Sequence, residues 1–418
     1  MPHPVLNPAL PGPDEFPTLS RAEKDRRYLA VRELMAEHNL DALVVFGSGR
    51  DMWDRYLTNE TLHGIVVLTA SGEATYLLGR YPLNRYDEPG QAYDRWVEDY
   101  RVGHPIAGLI ESLTERSVAT GTIGVVGLSS RAVGGWAGSI SYSTWLRVLD
   151  GLPGANFVDV ATPFEVLALV KSPEEQQMIR KAAALGEAAC AAFIEATAVG
   201  VRESVIGAAA LNAIVGGGGW ILPPSLLLRS GSSRFAWGQP EWMSMGGAPR
   251  RLEAGDSVAA EIFACYGTYE SQQQIDVVIG APSPELAFLE EVCQQSLRAG
   301  LDVLKPGLTF TELAEAMNAP ALEASCWNTG PHIQTVSGVI FNSATHMNTD
   351  QDPALRVLPK LPPVVPQDGD FVIQAGTAFA FEPNALLGGR RVCVGGTVIC
   401  TDEGNEVLNT LPNRLVVV

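Results

Sequence analysis

The chain has 418 residues, more than one hydrophobic core usually supports, so two domains are expected. Apolar residues make up 46% and charged residues 18%, the balance of a soluble globular protein. Its 29 basic and 47 acidic side chains give a formal charge of −18, which repels nucleic-acid phosphates and anionic membrane surfaces, and no apolar run is long enough to cross a bilayer.

The first residues, MPHPVLNPALPGPDEF, are Pro-rich and lack the basic-then-apolar layout of a secretory signal, so they read as an extended arm of a cytoplasmic protein. A helical charge and apolar pattern follows through Tyr28, Leu29, Val31, Leu34 and Met35. Short strand patterns start at Asp41, Gly64, Ala74 and Gly124, which makes residues 1–165 a small α/β domain with a mixed sheet. Ser172-Pro173-Glu174-Glu175 then has the form of a helix start. Ser occupies the N-cap, Pro the first helical position, and the acidic side chains face the positive end of the helix dipole. A long helix is expected from there until Gly200 closes it. Further helices are expected near 202–215, 284–304 and 309–324, with strands near 257–265, 274–279, 371–382 and 391–400. Residues 345–369 read as a long surface loop, and the glycines at 216–219 as a bend without the Lys-Ser or Lys-Thr of a phosphate loop. Residues 166–418 are therefore expected to form an α+β domain. Cys190, Cys265, Cys293, Cys326, Cys393 and Cys400 contain no CxxC pair and read as reduced thiols rather than zinc or redox sites.

Lys171-Ser-Pro-Glu-Glu with Ile179-Arg180, the Tyr56-Leu57-Thr58 turn, Ala254-Gly255-Asp256, Phe381-Glu382-Pro383 and Thr397-Val-Ile-Cys-Thr-Asp-Glu-Gly occur in an order and spacing that resemble the creatinase, prolidase and aminopeptidase P family. The resemblance implies a pita-bread catalytic domain behind a smaller creatinase-like α/β domain, and a homodimer acting on a small molecule. Metal-dependent members hold two divalent ions with two Asp, one His and two Glu, because hard donors must offset the charge and fill both coordination shells. On that pattern the ligand positions fall on Glu261, Gln272, Val339, Glu382 and Gly395. A valine and a glycine cannot bind metal and a Gln is a poor donor, so neither a dinuclear centre nor any other cofactor is expected.

The surviving set is similar to that of metal-independent relatives such as creatinase and ectoine hydrolase. Glu261, His346 and Glu382 are the catalytic candidates. Glu261 is a charge inside an apolar strand pattern, and the resemblance puts His346 near substrate. Two carboxylates in one dry cavity repel, so one pKa rises or a cation is recruited, and a substrate with an amidinium, guanidinium or ammonium group would be that cation. A His can move a proton either way at neutral pH. Arg234, Trp237, Tyr266 and Gln272 are candidate substrate contacts, as are Trp53 and Arg55, beside Asp51 and Asp54, on a first-domain loop that in this family closes a partner's site. His332 has no motif partner and reads as structural. These residues point to hydrolysis of a C–N bond in a nitrogen-rich metabolite. The alternatives are a metal-dependent Xaa-Pro dipeptidase, a lyase or isomerase, and a non-catalytic binding module.

Overall fold

The computed structural model describes residues 7–47, 52–80, 96–129, 140–231, 238–338, 340–348, 350, 356, 371–411 and 413–418. Asp51, Arg234, Trp237, Val339 and most of the expected 345–369 loop lie outside them. Two compact units form, Pro17–Glu174 and Met1–Phe16 with Glu175–Val418. The division runs at the start of the long helix rather than at residue 165, and the N-terminal arm belongs with the second unit. There the Lys181 ammonium donates to the carbonyls of Gly12 and Pro13 at 3.0 Å each.

In chain order the first unit comprises α1 (Arg21–Glu37), β1 (Ala42–Phe46), α2 (Trp53–Thr58), β2 (Ile65–Thr69), β3 (Thr75–Leu78), β4 (Asp99–Val102), α3 (Pro105–Glu115), β5 (Thr122–Val126), α4 (Tyr142–Gly151), β6 (Asn156–Asp159) and α5 (Ala161–Leu169). Its mixed six-stranded sheet has the order β4-β3-β2-β1-β5-β6, with β1 antiparallel to β2 and parallel to β5. Val44, Val67, Leu77 and Val125 pack there against Leu109 and Leu113 of α3 and Val148 of α4. Each such side chain contributes roughly 1.5–3 kcal/mol by leaving water. Tyr56-Leu57-Thr58 is the end of α2 rather than a turn, closed by Asn59 in the left-handed conformation (φ 49°). The half-polar β4 and β6 carry too little apolar alternation to be read as strands.

Asp54 is fully buried in this unit and accepts hydrogen bonds from the Gly64 N–H at 2.9 Å and the Tyr76 hydroxyl at 2.8 Å. A Cβ on Gly47 would lie 2.1 Å from the Asp54 carboxyl carbon, so the carboxylate needs glycine at that position. Trp53 is buried edge-on to Phe164 with ring centroids 5.9 Å apart, and Arg55 donates to the Thr61 carbonyl at 2.7 Å.

The second unit continues with α6 (Pro173–Ala196), α7 (Glu203–Gly216), β7 (Trp220–Gly231), α8 (Glu241–Ser244), β8 (Ser257–Tyr266), β9 (Tyr269–Val278), α9 (Pro284–Val303), α10 (Phe310–Glu323), β10 (Ile333–Thr335), β11 (Ala378–Phe381), β12 (Asn384–Leu387), β13 (Arg390–Cys393), β14 (Gly396–Thr401), β15 (Gly404–Val407) and β16 (Val416–Val417). Its sheets have the orders β16-β9-β8-β7 and β10-β11-β14-β15, with β12-β13 as a separate hairpin. The strand β7 was hidden in the sequence by Pro223-Pro224. It is tolerated because β7 is an edge strand whose register shifts between Ile221 and Leu226. Helix α10 opens on a complete capping box, with Thr309 and Glu312 each bonding the other's backbone N–H.

Replacing Asp54 with Ala leaves the half-buried Gly64 N–H without its acceptor and the Tyr76 hydroxyl with only the Leu62 carbonyl. We expect a loss of about 2–4 kcal/mol in urea unfolding, against about 1 kcal/mol for Tyr76→Phe, which removes one donor and keeps the ring.

Candidate active site

The hairpin β8–β9 pairs Glu261 with Gln274 and Phe263 with Gln272. Directly opposed residues share a face and neighbours alternate. One face carries Val258, Ala260, Ile262, Ala264, Ile275 and Val277, which pack against Ala189, Phe193, Ile206 and Ala210 of α6 and α7. The reverse face therefore carries Glu261 and Phe263 beside Glu270, Gln272, Gln274 and Asp276, all of them buried. A run of polar side chains on a buried face is costly unless each finds a partner.

The partners come from the neighbouring sheet. Strand β10 pairs with β11 so that Gln334 lies opposite Ala380, and the Glu382 N–H donates to the His332 carbonyl at 2.9 Å. The Gln334 amide donates to Gln272 Oε1 at 2.7 Å, and Gln272 donates to Glu270 Oε1 at 2.9 Å. Farther along β9, the Gln274 backbone N–H donates to the Gly395 carbonyl at 3.0 Å, and its Nε2 donates to Glu382 Oε2 at 2.7 Å. The other Glu382 oxygen has no hydrogen-bond partner among the described residues. Burial and then the negative charge of Glu261 push the Glu382 carboxyl well above its ordinary range, while Arg391 and Gln274 pull less strongly the other way. The Glu382 carboxyl is thus held well above the usual carboxylate range, by burial first and by the neighbouring Glu261 second.

Arg391 lies on β13, and its charge also acts on Asp276, whose Oδ2 accepts from the Cys393 N–H at 2.6 Å. Burial raises Asp276 to about 7, with Arg391 opposing. His332 is buried, and desolvation, aided by the nearby His346, lowers it to about 3, so it is neutral at physiological pH. A small, half-open cleft is lined by Glu261 together with Leu227, Arg229, Ala259, Gln274 and Arg391 among others.

Of the residues expected from the sequence, Glu261, Gln272 and Glu382 come together. Tyr266 does not. It lies opposite Tyr269 at the hairpin end, on the helix-packed face, with its ring 6.5 Å from that of Phe16. His346 is exposed on the segment after β10. Its backbone N–H is bound by Asn328, and among the described residues no hydrogen bond joins its ring to Glu261 or Glu382. Trp53 and Arg55 are held inside the first unit as described, and Arg234 and Trp237 lie outside the described residues. Sequence reasoning missed Gln274, Arg229 and Arg391. The signal for the first was Gln272-Gln273-Gln274, three amides in a strand with apolar neighbours. Nothing in Arg390-Arg391 marked which arginine turns inward.

The two-unit architecture is the pita-bread hydrolase fold. The X-Pro aminopeptidase of Thermotoga maritima superposes with a TM-score of 0.73 at 19% identity, covering 94% of this chain and 99% of that one. The chain belongs to metallopeptidase family M24, which matches residues 177–402. Among relatives, it is 25% identical to the uncharacterized hydrolase/peptidase y4tL of Sinorhizobium fredii, over 98% of this chain and 100% of that protein. It is 23% identical to the ectoine hydrolase of Halomonas elongata, over 95% and 98%.

The residues here do not fit the family's dinuclear metal set. Gln272 is committed to Glu270 and Gln334, and among the described residues no group of three or more His, Cys, Asp and Glu side chains is arranged to hold an ion. Gly395 adopts φ +122°, and a Cβ there would lie 2.1 Å from the Phe381 carbonyl oxygen. The backbone thus excludes a side chain where the second glutamate would stand.

Gly395→Ala should lower stability by about 2–4 kcal/mol in urea unfolding, the sum of overpacking and a strained left-handed conformation, and Gly395→Glu should be at least as damaging and bind no Mn²⁺ by calorimetry. The buried titrating groups predict opposed pH effects on stability. Asp276, raised in the folded state, contributes stability that is lost as pH rises from about 4 to about 7. His332, depressed in the folded state, contributes stability that is lost as pH falls from about 6.5 towards 3. Unfolding free energies measured across pH 4–7 should therefore become more favourable to the folded state at the upper end for Asp276→Asn, and at the lower end for His332→Gln, relative to the parent protein.

Proposed function

We propose that this chain is a metal-independent hydrolase that cleaves a C–N bond, in an amidine, guanidine or amide group, of a small nitrogen-rich metabolite. The observation that carries the reading is the Glu261–Glu382 pair, buried together with a guanidinium rather than a metal-ligand set. Family membership supports hydrolysis, and the similarity to an ectoine hydrolase along nearly the whole chain supports a substrate other than a peptide.

In this scheme Glu261 reaches the cleft and acts first. It takes a proton from water as the water oxygen bonds to the electrophilic carbon, then returns that proton to the nitrogen as the C–N bond breaks. Attack by the Glu261 carboxylate itself, followed by hydrolysis of the acyl-type intermediate, would use the same geometry. Glu382, whose buried carboxyl is pushed well above its ordinary range, accepts from the Gln274 amide and orients it. With its N–H on Glu382, Gln274 turns its carbonyl oxygen to accept from a substrate N–H. His346, whose charge reaches His332 from the exposed segment, is the candidate for a second proton donor to the leaving nitrogen.

A panel of amidines, guanidines and cyclic amides, followed by amine or ammonia release, is the direct test. Glu261→Gln should lower kcat by at least about a hundredfold with the fold retained, and His346→Ala by about tenfold or more. Full turnover in both variants would remove the proton-transfer scheme.

A further inference from the structure

The Pro-rich arm and the four-glycine run play no part in the Glu261 site, and they meet on the second unit. None of residues 7–16 is buried, so the arm lies on the surface, and it is held at three places. The Asn7 amide donates to the Leu408 carbonyl at 2.9 Å, the Gly12 and Pro13 carbonyls accept from the Lys181 ammonium, and the Phe16 ring centre stands 4.5 Å from that ammonium. Lys181 is buried on α6, and its hydrogen bonds go to those two neutral carbonyls rather than to a carboxylate. Desolvation lowers its pKa, with the charges of Glu15 and Asp14 opposing. The glycine bend receives the Phe16 ring. Gly218 has φ +86°, and a Cβ there would stand 2.9 Å from Phe16 Cε1, while one on Gly219 would stand 2.7 Å from the Cys265 carbonyl oxygen. The bend thus leaves room for the arm on one side and for the end of β8 on the other. Phe16 also lies against Tyr266, the last residue of β8, and the Trp220 indole donates to the Gly267 carbonyl at 2.6 Å.

We infer that residues 7–16 are a detachable strap that covers Lys181 and steadies the turn end of the β8–β9 hairpin. The surface made by Lys181, Gly218 and Tyr266 is, on this inference, built for the chain's own Pro-rich segment. The chemistry of the segment matches that surface. Pro8, Pro11 and Pro13 lack N–H groups and keep the backbone extended, so the segment offers carbonyls, which are what an ammonium takes, and loses little freedom on docking. Asp14 and Glu15 place negative charge beside the same ammonium. Detachment follows from exposure. No side chain between 7 and 16 enters the core, so lifting the arm uncovers little apolar surface, as in other segments of low local stability. Two things change when it lifts: Lys181 meets water, and the end of β8 loses the ring that packs on Tyr266. Glu261 lies on that strand, whatever reaction it performs.

The test is competitive acetylation of the full chain with limiting acetic anhydride, read by peptide mass spectrometry, with the exposed Lys305 as the reference in the same molecule. We expect Lys181 to react at least about tenfold more slowly than Lys305 in the parent protein, and Phe16→Ala to raise its rate at least about fivefold. Phe16→Ala should also speed amide hydrogen exchange at residues 265–269 while leaving β1 of the first unit unchanged. Phe16 is 54% exposed, so its truncation opens no core cavity. Asn7→Ala, at the other end of the arm, should act in the same direction by a smaller factor, thermal melts confirming that both variants remain folded. Equal reactivity of Lys181 and Lys305 in the parent protein, or a Lys181 rate unchanged in both folded variants, would overturn the strap. Lys181 unmasked in Phe16→Ala with exchange at residues 265–269 unaltered would overturn its hold on the hairpin.

Discussion

Two glutamates, Glu261 and Glu382, are buried within each other's electrostatic reach, and the chemistry of the second unit depends on how that cost is met. A buried carboxylate without compensation gives up its charge, and two of them cannot both keep theirs. The family's metal-dependent members would meet the cost with divalent cations. On the metal-independent reading proposed here, the means are the raised affinity of the buried Glu382 carboxyl for a proton, the Gln274 amide bound to it, and the charge of Arg391. The three act together: the Gln274 backbone is pinned by the Gly395 carbonyl, and Gly395 can occupy that place only because it has no side chain. A carboxylate restored at 395 would therefore disturb the contact that holds Gln274 in line with Glu382.

The alternation of one hairpin distributes these roles. Because opposed residues share a face, placing Ile262 and Ile275 against α6 and α7 forces Glu261 and Gln274 to the other side. The apolar face fixes the register, and the register fixes the site. Tyr266 illustrates the same rule: one residue removed from Cys265, it turns to the helix-packed face and meets Phe16 instead of the cleft.

The architecture was legible wherever the physics was local. Ser172-Pro173 announced α6, and the apolar runs at Ala42–Phe46 and Ile65–Thr69 became central strands. The strand β7 was not legible, because two prolines inside it speak against a strand and only its edge position makes them tolerable. Glu261 and Glu382 were found from an isolated charge in an apolar pattern and from a motif. Arg391 and Arg229 reach the cleft through β13 and β7, and the sequence holds no local mark of which strand edges meet. Trp53 and Arg55 show the converse, since residues that read as a loop for recognition are engaged within their own unit by Phe164 and Thr61.

The central claim is that a buried amide and guanidinium, Gln274 and Arg391, do at this site what metal ions do elsewhere in the family. Elemental analysis of active protein, purified with neither added metal nor chelator, tests it most directly. The account predicts turnover with Mn, Zn, Co and Fe each far below one equivalent per chain and no loss of activity on chelation. Near-stoichiometric metal that leaves with activity on chelation and returns with it on re-addition would contradict it.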